Sequence, residues 1–275
     1  MKYADLHLHT YFSDGTYSPQ ELVSQSLKAG LACIAVADHD TVEAIGPALE
    51  LGRNQGLEVL PGIELSAEYE GTEVHILGYL IDYQQKELTE KLEVLRQNRI
   101  ARVHKIVAKL KEMGVDLDAE KIFGMAQNGG TVGRLHIARI MLQEGFINSL
   151  IEAFQKYIGD KSPAYVAGFK LNSQEAIALI RGCGGVSVLA HPYTLRNDEL
   201  IPELVRFGLM GLEAYYPEHS QAIVNFYLAL AQKYNLLVTG GSDCHGQAKA
   251  GVKIGAIKIP YALVEKIKVA QEKLK

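Results

Sequence analysis

Short apolar runs alternate with longer amphipathic ones along the first eighty residues, and the two periods predict different elements. Residues 2–9 read as a strand whose period of two places His7 and His9 on one face. Ser13-Asp14-Gly15 marks a turn, and Ser18-Pro19-Gln20-Glu21 opens a helix with a capping Ser and a Pro at its first position, running to about residue 30. The run 32–37 lands on Asp38-His39-Asp40, and a helix is expected from Thr41 to near Gly56. Strand signals at 57–60 and 63–66 carry Glu64, and a further one at 74–80 contains His75. This rhythm predicts a sheet of parallel strands closed into a barrel. His75 precedes the apolar residues of its run instead of following them, which points to a strand of opposite direction.

Between residues 84 and 157 the pattern changes. Helical periodicity with Lys, Glu and Arg dominates, and 88–113 reads as one long helix with Leu92, Leu95, Ile106 and Leu110 among its apolar positions. Alternation then resumes with a helix at 173–181, a strand at 185–190, a helix at 199–207, a strand at 209–214, a helix at 221–234, a strand at 236–239 and a C-terminal helix. The expected fold class is α/β: a barrel made of residues 1–83 and 158–275, with 84–157 inserted as a helical segment covering the active site.

Chemistry gathers at the carboxyl ends of parallel barrel strands, and that is where most of the candidate donors fall. His7, His9, Asp14, His39, Glu64, His75, His191, Asp243 and His245 supply nitrogen and oxygen ligands with no thiolate cage. Such donors suit Zn, Mn or Fe. A catalytic ion takes about three protein ligands, so the set suits three ions, or two if some residues have other roles. The plainer reading of His7 and His9 is a pair of solvent-facing polar residues on an edge strand, and neither Glu64 nor His75 would stand out alone.

Composition narrows the partners. With 48% hydrophobic and 22% charged residues the chain is ordinary globular protein, and its net charge of −4 argues against a broad surface for long nucleic acid. A small anionic substrate is compatible, because bound divalent ions would dominate the local field. Cys33, Cys183 and Cys244 form an odd, scattered set suited to a reducing compartment. No cationic-then-apolar leader and no apolar run near the ~20 residues needed to cross a bilayer are seen. A cytoplasmic location is expected, with no membrane and no obligate protein partner.

The motifs Asp5-Leu6-His7-Leu8-His9, Ser13-Asp14-Gly15, Ala37-Asp38-His39-Asp40-Thr41, Pro61-Gly62-Ile63-Glu64, Val188-Leu189-Ala190-His191-Pro192 and Thr239-Gly240-Gly241-Ser242-Asp243-Cys244-His245-Gly246 resemble the PHP (polymerase and histidinol phosphatase) family, in order and over nearly the whole chain. Gly133-Arg134-Leu135-His136-Ile137-Ala138-Arg139 resembles the helical-insert motif of its small stand-alone phosphoesterases, which include nucleoside 3′,5′-bisphosphate phosphatases and 5′–3′ exoribonucleases. The resemblance implies a distorted seven-stranded β/α barrel with a site for two or three Mn, Fe or Zn ions. It assigns His7, His9, Glu64 and Asp243 to one ion, Glu64, His75 and His191 to a second, and Asp14, His39 and His245 to a third. Cys244 departs from the apolar residue often found there; a small buried side chain is the simplest reading.

On this reading the chain is a metal-dependent phosphoesterase in which a hydroxide held between ions attacks phosphorus, with Glu64, His191 and Asp243 at the reacting centre. The expected substrate is a small phosphorylated nucleotide such as a nucleoside 3′,5′-bisphosphate. The alternatives are a 5′–3′ exoribonuclease on short RNA, a histidinol-phosphate or other phosphomonoester phosphatase, and a non-catalytic metal-binding module. Arg134, after the glycine-rich stretch 128–133, is expected to clamp a phosphate, with Lys161 and Lys170 as lesser candidates. His219 follows a strand and is read either as a catalytic proton donor or as a helix cap. Asp5 and Asp40 are expected to orient ligating imidazoles or to act in turns, and His104 and His136 to be structural.

Overall fold

The computed structural model describes residues 1–126, 130–249 and 251–274. It begins with β1 (Tyr3–Leu8), α1 (Pro19–Lys28), β2 (Cys33–Val36), α2 (Ile45–Gln55) and β3 (Glu58–Tyr69), and the three strands pair in parallel. The start of α1 is a capping box: the Ser18 hydroxyl accepts from the Glu21 N–H, and the Glu21 carboxylate accepts from the Ser18 N–H. α2 begins at Ile45, later than the expected Thr41. Pro47 lacks an N–H and is tolerated only in a first turn, which fixes the start just before it.

The two strand signals around Glu64 are one continuous strand, β3, of 12 residues. At its end Glu70 and Gly71 have φ of 47° and 80°, the left-handed pair that closes a tight hairpin. β4 (Thr72–Tyr79) therefore runs back antiparallel to β3, the reversal that the position of His75 indicated. Four helices follow: α3 (Lys86–Glu112), α4 (Ala119–Phe123), α5 (Arg134–Gln143) and α6 (Leu150–Ala153), the last running into a π-helical turn, Phe154–Ile158. The chain continues with β5 (Leu171–Asn172), α7 (Ser173–Gly182), β6 (Val186–Leu189), α8 (Ile201–Arg206), β7 (Gly211–Tyr215), α9 (Gln221–Lys233), β8 (Leu237–Gly240), β9 (Ile259–Pro260) and α10 (Tyr261–Glu272). The two-residue strands β5 and β9 carry no periodicity and were not expected. No helix among the described residues is long and apolar enough to cross a membrane.

The strands form one sheet in the order β8-β7-β6-β4-β3-β2-β1-β9, with β5 beside β3. β4 is antiparallel to both neighbours, while β6, β7 and β8 are mutually parallel. The sheet curls until its ends nearly meet: the His9 N–H donates to the Cys244 carbonyl at 3.1 Å, and Leu8 bridges Cys244 in parallel. Only glycine fits at this seam, since a Cβ on Gly241 would lie 2.4 Å from both the Cβ and the backbone N of His7. The architecture is a mixed α/β, distorted and nearly closed barrel of seven principal strands. β2 and β6 are buried at every position, as expected for strands covered on both faces. Tyr79, fully buried on β4, donates to the Leu6 carbonyl at 3.0 Å. β1 lies three places along the sheet from β4, so this bond spans the interior.

α3 serves two cores. Leu88, Leu92 and Leu95 pack with Ile177 and Ile180 in the barrel cluster, whereas Val103, Ile106 and Leu110 join Ile137, Met141 and Ile158 in a separate one. Each leucine contributes about 1.5–3 kcal/mol when fully buried, so the start of α3 is firmly seated on the barrel. Further along, Thr131 donates from Oγ1 to the His39 carbonyl and from its N–H to the Phe12 carbonyl, both at 2.7 Å. Arg99 on α3 binds the Asp40 carboxylate through Nε (2.9 Å) and Nη2, and also reaches Ser66 Oγ at 2.9 Å. The helical segment is thus clasped to the loop that follows β2.

Candidate metal centre and the cleft beside it

All nine donors named from the sequence meet at one end of the barrel, and Glu64 is their hub. Its Oε1 lies 2.9 Å from His75 Nδ1 and 3.1 Å from His191 Nε2. Its Oε2 lies 3.1 Å from His7 Nε2, 3.3 Å from His9 Nε2 and 3.2 Å from His39 Nδ1. Asp243 Oδ1 is 3.1 Å from His9 Nε2 and 3.5 Å from both His7 Nε2 and His245 Nδ1. Asp14 Oδ1 is 3.1 Å from His245 Nε2. Three sets bring their ligand atoms within 4.8 Å of one another: His7, His9 and Asp243; His9, Asp14, His39 and His245; and His39, Glu64 and His75. These resemble the expected grouping, except that His9 and His39 are each shared between two sets, Glu64 joins only the set with His39 and His75, and His191 contacts the cluster through Glu64.

The donor set fits cations better than it fits itself. His9 Nδ1 and Nε2, His39 Nδ1 and Asp14 Oδ1 are buried without a hydrogen bond, although for all but His9 Nδ1 a nitrogen or oxygen lies at 3.1–3.3 Å, in a direction that does not make one. A buried polar atom left unpaired costs about 1–3 kcal/mol. Lone pairs that converge on a common point without being directed at one another are what an ion would satisfy. The electrostatics agree. Burial alone would push the Glu64 carboxyl up, but the imidazoles of His39, His7 and His75 hold it well below the ordinary range. Burial pulls His75 and His245 down, yet carboxylates prevail: Glu64 and Glu73 raise His75 to about 10, and Asp14 and Asp243 raise His245 to about 9. At His39 burial wins and takes the ring to about 4.

Several supporting residues were not found from the sequence. Glu213 on β7 is fully buried; its Oε1 accepts from His7 Nδ1 at 2.9 Å and its Oε2 from the His191 N–H at 2.8 Å. Such a carboxylate fixes the tautomer of a ligating ring. This is the role expected of Asp5 and Asp40, and neither touches an imidazole. Asp5 instead accepts from the Ser242 N–H and hydroxyl and the Gly255 N–H at 2.6–2.8 Å, while Asp40 holds Arg99 and the Ser66 N–H. Glu73 is a second missed carboxylate, 3.2 Å from His75 Nε2. Asp38 accepts from the N–H and hydroxyl of Thr10 and from Ser13 Oγ, fixing the loop that carries Asp14. A lone Glu in the apolar run Leu209 to Ala214 was the one visible signal for Glu213.

His219 lies outside the three ligand sets. Its Nδ1 is 2.9 Å from the Ala214 carbonyl, and its ring centroid is 5.3 Å from those of Tyr216 and Tyr227. It is not the cap of α9; Ser220 accepts the Ile223 N–H there. The Cys244 thiol turns away from the donors, toward the Val252 carbonyl at 3.3 Å. His136 caps α5 by accepting the Gly133 N–H at 3.1 Å, and His104 stacks edge-on against Phe123. Neither belongs to the three ligand sets.

Beside the donors opens a cleft of about 260 Å³. Asp14, His39 and His75 form part of its wall, and Arg99, Arg102, Arg134 and Lys170 line it with positive charge. Arg134 is the first residue of α5 and its Nη1 pairs with Asp160 at 2.5 Å, between the rings of Phe154 and Tyr165. Of the glycine-rich stretch before it, Asn128 and Gly129 lie outside the described residues. Lys170 pairs with Glu73 at 2.6 Å, whereas Lys161 is exposed and does not line the cleft. Arg99 and Arg102 were missed because a long helix rich in Lys and Arg gives no sign of which cations turn inward.

Comparison with known proteins accords with this geometry. The chain is 28% identical to the 3′,5′-nucleoside bisphosphate phosphatase of Chromobacterium violaceum over 91% of its own length and 90% of that protein. It is 30% identical to the phosphoribosyl 1,2-cyclic phosphate 1,2-diphosphodiesterase of Eggerthella lenta (88% and 94%), and 33% identical to the 5′–3′ exoribonuclease Rnm of Escherichia coli (88% and 84%). A structure from Bifidobacterium adolescentis, designated a metal-dependent phosphoesterase, superposes with a TM-score of 0.90 at 32% identity, covering 98% of this chain and 96% of that one. The family model described as PHP domain matches residues 5–162. The chain belongs to the PHP family of metal-dependent phosphoesterases and is a hydrolase of phosphate esters.

Proposed function

We propose that the chain removes a phosphate from a nucleoside 3′,5′-bisphosphate, with divalent ions held by His7, His9, Asp14, His39, Glu64, His75, His191, Asp243 and His245. The observation that carries this reading is the single cleft in which donors for cations and four basic side chains face the same space. A monophosphate needs only the ions; a second phosphate would face the positive charge of Arg99, Arg102, Arg134 and Lys170, whose side chains are already braced by Asp40, the Val166 carbonyl, Asp160 and Glu73. The volume of about 260 Å³ lies just below the usual range of ligand pockets, which begins at about 300 Å³, and favours a short substrate.

When bound, divalent cations supply Lewis-acid polarisation of a phosphoryl oxygen and a nucleophile at neutral pH. The protein's own groups do the rest. Glu213 holds His7 and the His191 backbone in place, and Glu73 holds His75. Arg134, braced by Asp160, grips the phosphate that is not cleaved, and Arg99 and Arg102 add to the positive wall that stabilises phosphoryl charge. Phe169, half exposed on the cleft lining, offers a flat face for a base, a contact of about 1–3 kcal/mol. The helical segment contributes most of this wall and covers the centre from one side.

Trimming of short RNA from its 5′ end is the second reading, supported by the 33% identity to the E. coli enzyme. Phosphate and nucleotide release from adenosine 3′,5′-bisphosphate, 3′-AMP, an aryl phosphate, a short 5′-phosphorylated RNA and a ribose 1,2-cyclic phosphate, on metal-replete protein, separates these. The bisphosphate should have the highest kcat/KM. A faster reaction on the RNA or on the cyclic phosphate would overturn the substrate and leave the phosphoesterase.

A further inference from the structure

The Asp243 carboxylate is divided between two environments. Oδ1 faces the ring nitrogens of His9, His7 and His245 at 3.1–3.5 Å. Oδ2 faces the other way, accepting from the Tyr216 hydroxyl at 2.8 Å and from Lys249 Nζ at 2.9 Å. The two donors also meet each other, with Lys249 Nζ 3.2 Å from the Tyr216 oxygen and 5.5 Å from the centre of its ring. Tyr216 is buried, and its ring packs 5.4 Å from that of His191 and 5.3 Å from that of His219. This packing gives the buried His219 a place in the structure: its ring backs Tyr216. Asp243 itself is held at φ 52°, a conformation that a non-glycine residue adopts only where its surroundings over-determine it.

A carboxylate can offer a cation one oxygen or two. With the lone pairs of Oδ2 occupied by a hydroxyl and an ammonium, only Oδ1 remains to turn toward the histidines, and its direction is set by the plane those two donors impose. We infer that Tyr216 and Lys249 are positioning residues that fix Asp243 as a one-oxygen ligand and so set the affinity of the ion it shares with His7 and His9. The inference rests on the reading of Asp243 as a metal ligand. Nothing in the sequence marked either residue: Tyr216 is one of 14 tyrosines and Lys249 one lysine among many.

The test is calorimetric titration of Mn(II) into metal-free full-length protein, for wild type, Tyr216→Phe, Lys249→Met, Lys249→Arg and Asp243→Asn. Partners of this kind typically contribute 10- to 100-fold to metal affinity. Tyr216→Phe and Lys249→Met should each weaken one ion by about that factor while leaving the remaining sites and the Tm of the metal-free protein close to wild type. Lys249→Arg keeps a donor and a charge and should recover part of the loss. If Asp243→Asn loses an ion but Tyr216→Phe and Lys249→Met bind every ion within about 2-fold of wild type, the positioning role is wrong. If Asp243→Asn itself binds all ions as wild type does, the ligand assignment fails first, and this inference fails with it.

Discussion

Replacing Glu213 by Gln tests whether a buried carboxylate outside the ligand sets controls them. Gln has the same shape but only one acceptor oxygen, whereas Glu213 serves two donors, His7 Nδ1 at 2.9 Å and the His191 N–H at 2.8 Å. If the amide oxygen stays with His191, the NH₂ group meets His7 Nδ1. The ring must then carry its proton on Nε2, the nitrogen that lies 3.1 Å from Glu64 and 3.5 Å from Asp243. A protonated Nε2 cannot ligate. If the amide flips, its NH₂ meets the His191 N–H, and two donors face each other in a buried site. Either way one hydrogen bond to a charged group is lost, about 1.5–3 kcal/mol, or roughly 10- to 150-fold. Ion affinity measured by titration into metal-free protein and kcat/KM for phosphate release should fall together by that factor. Both quantities staying within about 2-fold of wild type would refute the assignment of Glu213 as the residue that sets the His7 tautomer.

Glu64→Ala removes the carboxylate contacted by five imidazoles and should lower ion content and hydrolysis together; retention of more than ~10% of the wild-type rate, under ~1.4 kcal/mol of barrier, would contradict its role. Arg134→Ala should reduce kcat/KM on a 3′,5′-bisphosphate by roughly 10- to 150-fold more than on an aryl phosphate; an equal loss on both would place Arg134 at the reacting phosphoryl group or in folding. Gly241→Ala forces a methyl against the His7 backbone at the barrel seam and should cost about 1–3 kcal/mol, seen as a lower Tm together with lost ions; a wild-type Tm would mean that the seam opens freely. Chelation should lower Tm, since ions at about 100 times their Kd stabilise the native state by about 2.7 kcal/mol per site; a melting curve indifferent to chelator would argue against resident ions.

Most donors were legible because they sit where an apolar run stops, and parallel strands bring such stops to one rim; Glu64, inside β3, and Asp14, in a loop, were legible only together with the rest. His75 was legible through an exception: a histidine ahead of its apolar residues required a reversed strand, and Glu70-Gly71 supplies the turn. The supporting groups were not legible, for physical reasons that differ. Glu213 lies inside a strand, and no period distinguishes a carboxylate that points at an imidazole from one in a less polar setting. Asp5 shares a face with His7 by the period of two, and Asp40 follows His39 in a turn at φ 52°; position alone did not tell that the carboxylates would be taken by Ser242, Gly255, Ser66 and Arg99. The start of α2 was misplaced because the helical pattern was read without the restriction that Pro47 imposes. The cleft's basic wall depends on how α3 and α5 pack, and periodicity gives a helix its buried face but not the direction in which each arginine points.

Thr131 takes hold of His39 by its backbone carbonyl, while the ring of the same residue faces Glu64 at 3.2 Å. On the proposed assignment one residue therefore belongs to two equilibria, the seating of the helical segment and the filling of the ion site. Free energies linked through a shared residue are reciprocal: whatever steadies His39 from the ion side steadies the segment, and whatever loosens the segment weakens the hold on the ion by the same amount. The wall that would grip a substrate and the centre that would cut it are in this sense one thermodynamic object, with the Thr131 hydroxyl as one of the joints.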